Sequence, residues 1–261
     1  MRSLDIGATG MLAQQMNVDI ISNNIANMTT SAFKRQRVDF KDMIYQNINR
    51  PGAQSSDAGT VLPSGLQIGL GVQVQAAYRI HEQGALQITE NSLDLAIGGE
   101  GFFQIQLPNG DESYTRSGVF QLNENGELVT TQGYLVEPNI VIPSDAIGIE
   151  INQNGEVFVQ QSGVVNLTNV GQIQLANFVN PTGLEAIGDN LYVETEASGT
   201  ATTGSPGEDS LGTIRQGSVE QSNVNVVEEI TNLITAQRAY EMNSTVIRTS
   251  DEMLQSVAQL R

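Results

Sequence analysis

Near the start of the chain Leu4, Met11, Val18 and Ile25 place large apolar side chains seven residues apart, and near its end Val226, Leu233, Tyr240, Ile247 and Leu254 do the same. Four residues behind them run companion rows, Ala8, Gln15 and Ser22 in the first segment and Ile230, Gln237, Ser244 and Asp251 in the second. Alternating gaps of four and three keep both rows on one side of a slightly underwound α-helix. The spacing therefore predicts a helix at each end, about 35 Å and about 50 Å long at a rise of ~1.5 Å per residue. Ser3 is placed to cap the first helix with Asp5 in its first turn, and Asn225 with Glu228 forms a capping pair for the second. An amphipathic helix laid on an ordinary core is the plain alternative. A seam apolar along one row only, repeated at both ends, favours a coiled coil. Polar seam residues make such a helix weak alone and selective about its neighbours, so the terminal segments are expected to order on assembly.

Between the ends the period changes. Asn109-Gly110, Asn125-Gly126 and Asn154-Gly155 are hairpin signals of the type I′ kind, flanked by β-branched or alternating runs at 103–107, 147–151, 157–159, 171–177 and 191–194. Short strands and frequent turns predict an antiparallel sandwich or irregular barrel. The fold class is α+β: terminal helices forming a coiled-coil-like axial domain around a central, mainly antiparallel β domain. The expected divisions are 1–33 for the N-terminal axial helix and the motif after it, 34–74 for an extended linker segment, 75–220 for the β-rich domain and 221–261 for the C-terminal axial helix. Residues 50–65 and 197–212 are rich in Gly, Pro and Ser and read as loop or linker.

Composition narrows the function. Twelve Lys and Arg against 29 Asp and Glu give a net charge of −17, which argues against nucleic acid or anionic lipid as a main partner. With no Cys and one His, His81, the chain has no disulfide framework, no thiolate metal site and little general-base chemistry. No metal or cofactor is expected. No run approaches the ~18 apolar residues of a membrane helix, and Asp5, Gln14 and Gln15 interrupt what would have to be the apolar stretch of a cleaved signal peptide. Export, if it occurs, needs another route.

A search for catalytic groups returns little. Gly69-Leu70-Gly71 and Gly99-Glu100-Gly101 lack the third glycine and the helix of a phosphate loop, and the ligand spacing of a calcium loop fails just after Asn123. His81 reads as a solvated or hydrogen-bonded side chain. No pair of carboxylates is singled out as an acid and base, so the chain is read as a non-enzyme. Lys34, Arg35, Arg37 and Lys41 hold a third of the positive charge, and pairing with the acidic body of a neighbouring subunit is the expected use of this cluster.

The run Ser22-Asn23-Asn24-Ile25-Ala26-Asn27-Met28-Thr29-Thr30-Ser31-Ala32-Phe33-Lys34 resembles the signature of bacterial flagellar rod and hook proteins. Further matches follow in order: Asn91-Ser92-Leu93-Asp94-Leu95-Ala96-Ile97, Gly101-Phe102-Phe103, Tyr114-Thr115-Arg116 with Gly118 and Phe120, Ser222-Asn223-Val224-Asn225-Val226, and Gln237-Arg238-Ala239-Tyr240-Glu241-Met242-Asn243-Ser244. The resemblance covers nearly the whole chain. Residues 50–67 look like a segment of the distal-rod members. Proximal rod proteins and hook proteins are the alternatives within the family, and a secreted β-rich adhesin or binding module is the alternative outside it.

The resemblance implies a structural subunit of the distal rod. Such subunits polymerise helically into a rigid hollow drive shaft that transmits motor torque to the hook and conducts exported subunits. Implied partners are copies of itself, proximal rod proteins, the hook protein, the P- and L-ring proteins and the rod cap protein, with no nucleic acid and no membrane insertion. Implied localisation is the flagellar basal body from periplasm to outer membrane, reached through the flagellar type III apparatus without a cleaved signal peptide. The two seven-residue rows become axial packing residues, Asn23, Asn24, Asn27, Phe33 and Lys34 carry the signature, and Pro51, Gly52, Gln54, Leu62, Pro63, Gly65 and Gln67 belong to a candidate stiffening segment. Ala32 departs from the family's usual Gly; a left-handed backbone there would cost Ala about 1 kcal/mol.

Overall fold

Helix α1 spans Arg2–Ala26 and helix α2 Val226–Gln259 in a computed structural model that describes residues 2–49, 51, 64–162, 166–208 and 210–259. The lengths agree with the two rows in the sequence. The N-terminal cap does not, because helix already includes Arg2 and puts Ser3 inside the first turn. Asn225 does cap α2: its Oδ1 accepts the amide of Val227 at 3.2 Å, with Glu228 at 3.5 Å, satisfying donors that have no partner within the helix.

The chain divides into two compact units, one of residues 1–26, 36–78 and 225–261, the other of 27–35 and 79–224. In the first, α1 and α2 pack antiparallel, Gly7 facing Ile247, Gly10 facing Asn243 and Asn24 facing Glu229. The same unit holds two small antiparallel sheets. Gln36–Asp42 pairs with Val72–Arg79, and Tyr45–Asn49 pairs with Leu66–Gly69. The stretch expected to be extended linker thus carries strands on either side of residues 50–65.

The second unit is built around a nine-stranded sheet. Its central strand, Phe102–Gln106, pairs with Glu112–Thr115 on one side and Leu135–Glu137 on the other. Phe103 and Ile105 enter one apolar core with Leu95, Ile97, Phe120, Val136, Ile173 and Leu175; Phe102 enters a second with Tyr114, Phe178 and Tyr192. Strand alternation sends successive residues to opposite faces, so neighbours Phe102 and Phe103 enter different cores. A three-stranded sheet is formed by Ala146–Ile151, Glu156–Gln161 and Thr168–Gln172.

The Asn-Gly pairs do sit at hairpin tips, but not in type I′ turns. Only the glycines have positive φ, 89° at Gly110, 79° at Gly126 and 80° at Gly155. Each glycine amide donates to the carbonyl three residues back, and the loops close from Leu107 to Asp111, Asn123 to Glu127 and Asn152 to Glu156. This is a type I turn followed by a left-handed glycine, the three-residue hairpin. Two of the loops share a sequence device, Asn-x-Asn-Gly-Glu. The Oδ1 of Asn123 accepts the amides of Asn125 and Glu127, and that of Asn152 the amides of Asn154 and Glu156. The segment with a trace of calcium-loop spacing is therefore a self-capped hairpin.

Candidate functional site

Two places concentrate the residues singled out in the sequence. The first is the helix pair. Its buried positions are not those of the seven-residue apolar rows: Gly7, Ala13, Ile20, Ile21 and Asn24 are buried on α1, and Glu229, Ala236 and Ser250 on α2. On α2 these fall on the row Glu229, Ala236, Asn243 and Ser250, three residues after the apolar row. The companion row four residues on, Ile230, Gln237, Ser244 and Asp251, is exposed. Leu4, Met11, Val18, Ile25, Val226, Leu233 and Leu254 are half-buried, Ile247 is half-buried and faces Gly7 in the contact, and Tyr240 is exposed.

Small residues account for the difference. A Cβ added at Gly7 would lie 2.9 Å from Ile247 Cγ1, and one at Gly10 would lie 2.8 Å from Asn243 Nδ2. The helices close where their side chains are smallest. Large apolar residues are left outside, with Leu12 68 %, Val227 76 % and Met242 64 % exposed and Met16, Ile230, Ile234, Val246 and Met253 also open. At the far end Asn24 ties three segments together: its Nδ2 donates to Gln36 O at 2.9 Å and Glu229 Oε2 at 3.2 Å, and its Oδ1 accepts Gln36 N at 2.9 Å.

The second place is a buried ion triad in the β-rich unit. Glu220 ends the strand Ser218–Glu220, and its side chain has no exposure. Lys34 Nζ donates to Glu220 Oε1 at 2.6 Å and to Glu82 O at 2.7 Å. Arg116 Nε donates to Glu220 Oε2 at 2.7 Å, while its other nitrogens reach the carbonyls of Gly101, Ile97 and Gly99. Gly84 N completes the carboxylate at 2.8 Å. Burial is the largest influence on Glu220 and pushes its pKa up, but Arg116 and Lys34 together overcome it and hold the carboxyl below its ordinary value. Burial also dominates at Lys34, and despite Glu220 it leaves the ammonium pKa lowered. Two cations share one anion.

Lys34 is thus paired within its own chain, not with an acidic neighbour as the sequence suggested. Of the rest of that cluster, Arg35 makes a looser pair with Glu82 at 3.6 Å, and Arg37 and Lys41 are exposed. Asn223, seen in the sequence only as part of a motif, fastens the same region. It accepts from Arg35 N at 2.8 Å and donates to the carbonyls of Ile80 and Glu82. Glu220 belongs to no motif in the sequence; its one signal is an acid closing the short Ser-Val-Glu run two residues before that motif.

Of the other signature residues, Asn27 accepts the Thr30 hydroxyl at 3.1 Å, Phe33 is half-buried and Asn23 is exposed. Ala32 has φ 57°, is buried, and donates its amide to Glu220 O at 2.8 Å. The left-handed backbone suspected there is present. Ala32→Gly should raise the unfolding free energy by about 1 kcal/mol, read as a higher urea midpoint with unchanged slope. In the candidate stiffening segment Pro51 and Gln67 are exposed and Gly65 packs against Asn49 and Pro51; Gly52, Gln54, Leu62 and Pro63 lie outside the described residues.

His81 is neither solvated nor hydrogen-bonded at Nδ1. Its ring stands edge-on to Phe102 and Tyr192, centroids 5.8 and 5.7 Å away, and the buried Nδ1 has no partner. Burial, followed by the charges of Lys34, Arg79 and Arg116, pulls its pKa down to about 4. The unfolded chain therefore binds a proton between about pH 6.5 and pH 4 that the folded unit refuses, so stability is full above that window and falls as pH drops through it. The expected loss is roughly 2–3 kcal/mol by pH 4. Urea titrations across the window should show a slope that His81→Gln flattens.

Comparison with known proteins matches three stretches to flagellar families: residues 4–34 to "Flagella basal body rod protein", 96–159 to "Flagellar hook protein FlgE/F/G D1 domain" and 215–260 to "Flagellar basal body rod FlgEFG protein C-terminal". The chain is 55 % identical to the flagellar basal-body rod protein FlgG of Caulobacter vibrioides, with all of both chains covered. It is 52 % identical to that of Buchnera aphidicola, with 99 % of each covered. Against the one from Bacillus subtilis it is 42 % identical, with 100 % of this chain and 99 % of the other covered.

Proposed function

The chain belongs to the FlgG family of flagellar basal-body rod proteins, and from that premise we propose that it polymerises helically into the distal rod, a rigid hollow shaft that carries motor torque to the hook and lets exported subunits pass. It is a structural rod subunit. The observation that carries the assembly reading is the helix pair, which closes on Gly7, Gly10, Ala236 and Ser250 and leaves Leu12, Met16, Ile230, Ile234 and Met242 open. Burying such residues is worth about 1.5–3 kcal/mol each, and copies of the same pair offer a matching surface. On this reading the rows from Leu4 to Ile25 and from Val226 to Leu254 continue outward from the intramolecular contact into contacts between subunits.

The proposal extends to neighbours implied by the family: proximal rod proteins, the hook protein, the P- and L-ring proteins and the rod cap protein. It places the subunit between periplasm and outer membrane, exported by the type III apparatus without a cleaved signal. The partition 1–33, 34–74, 75–220 and 221–261 is kept as a division of labour: axial helix and signature, rod-specific segment, outer β-rich body, axial helix. The stretch 51–67, opening beside the strands Tyr45–Asn49 and Leu66–Gly69, is assigned to stiffening the shaft.

One electron-microscopy experiment tests both parts. Leu12→Asp with Ile234→Asp should leave helicity and the urea midpoint of the monomer within about 0.5 kcal/mol of the parent, yet abolish tubes at high protein concentration. A chain lacking 51–67 should still give tubes, but bent ones. Undiminished tubes from the double aspartate variant would refute the assembly surface, and straight tubes from the deletion would refute the stiffening role.

A further inference from the structure

Three Asn-Gly pairs stand at hairpin tips with nearly the same backbone geometry, and their surroundings differ in a way that bears on a chemical reaction. An asparagine followed by glycine can cyclise: the Gly nitrogen attacks Asn Cγ, a C–N bond forms, the side-chain nitrogen leaves as ammonia, and a succinimide results. Water then opens the ring at either carbonyl, giving aspartate or iso-aspartate. No oxidant or reductant is involved. For attack, the Gly amide must leave its hydrogen bond to the carbonyl three residues back, so the turn must open locally.

At Gly126 and Gly155 that opening is opposed on several sides. Gly126 O accepts Ile142 N at 2.8 Å, and Gly155 O accepts Ile173 N at 2.8 Å. The glycine Cα atoms press on neighbouring backbone, such that a Cβ at Gly126 would strike Ile142 O and one at Gly155 would lie 2.6 Å from Ile173 O. The Asn123 and Asn152 side chains clamp both loops through the amides on either side of the glycine. The third loop has Leu107 and Pro108 where the others have their clamping asparagine and the residue after it. A side chain at Gly110 would meet nothing within 4 Å. Opening here breaks the turn's own bonds and displaces no neighbour from Gly110.

Asn109 is also arranged for the chemistry. Asp111 N donates to Asn109 Oδ1 at 3.2 Å, where it draws electrons from Cγ and would meet negative charge building on that oxygen during addition. Asn109 Nδ2 donates to Asp111 Oδ2 at 2.6 Å, which fixes the side chain beside the turn. We propose that Asn109 is the site at which this protein undergoes spontaneous deamidation, and that the folds around Asn125 and Asn154 protect those two residues. Either product adds a carboxylate beside Asp111 and Glu112 on an already acidic body, and the iso-aspartyl form also kinks the backbone.

Peptide mapping by mass spectrometry of the full chain aged at mildly alkaline pH, folded and in urea, tests this. In the folded chain the rate at 109 should exceed those at 125 and 154 on the order of ten-fold or more, since two or more extra hydrogen bonds must break at the other loops. In urea the three rates should converge. Asn123→Ala should speed reaction at 125 and leave 109 unchanged. Equal rates in the folded chain, a lead for 125 or 154, silence at 109, or the same ranking in urea would each overturn the proposal.

Discussion

Glu220→Gln should destabilise the β-rich unit by about 3–5 kcal/mol, the penalty for leaving buried charge without its counterion. The carboxylate answers Lys34 and Arg116 together, so its loss strands two cations at once, and Gly84 N loses its ionic acceptor. Lys34→Met should cost less, about 1–2 kcal/mol, because Glu220 and Arg116 remain as a one-to-one pair with the guanidinium held by backbone carbonyls. The order of the two effects is the informative part. Equilibrium urea unfolding followed by circular dichroism or tyrosine emission suits a chain without Trp. A Glu220→Gln midpoint within about 1 kcal/mol of the parent would mean the triad is solvated in solution.

The second large effect belongs to the helices. Gly7→Leu combined with Gly10→Leu should separate α1 from α2, because each leucine enters space already filled by Ile247 or Asn243. Overpacking costs about 1–3 kcal/mol per site, and sites one turn apart share the same displacement and do not simply add. With the helices apart, the Asn24–Glu229 bond at the far end is strained as well. Alanine behaves differently. At Gly10 its methyl meets only the end of the Asn243 side chain, and at Gly7 it needs a small shift of Ile247, whose Cγ1 would lie 2.9 Å away. Replacing a mid-helix glycine gains about 0.5–1 kcal/mol of helix preference, so the alanine pair should cost far less than the leucine pair. Helical ellipticity and tube formation should both fall for the leucine pair and both survive in the alanine pair. Intact tubes from the leucine pair would mean that the close approach of the helices is dispensable.

Helix extents were legible because a seven-residue apolar row sustained over 22 or 29 residues fits a helix and neither a strand nor a loop. The inner face was not, since apolar patterning registers large side chains and these helices meet through small ones, Gly7, Gly10, Ala236 and Ser250. Heptad spacing predicts the companion row of α2 four residues on, and the inner row lies three residues on. Hairpin positions were visible in Asn-Gly. The turn type was misjudged because one left-handed residue per loop suffices when a bulge follows. Ala32 was legible by comparison with the family's glycine alone. Lys34 was assigned to a neighbouring subunit because its counterion lies 186 residues later, a separation no local pattern spans. The charge of −17 said the body was acidic without saying which acid was buried.

Helix α1 leaves a ribosome long before α2. Everything from Asn27 to Val224 can be present while α1 still lacks the surface that fits Gly7 and Gly10. Lys34 likewise waits for Glu220. Until α2 is finished, α1 has no surface of its own chain to close against.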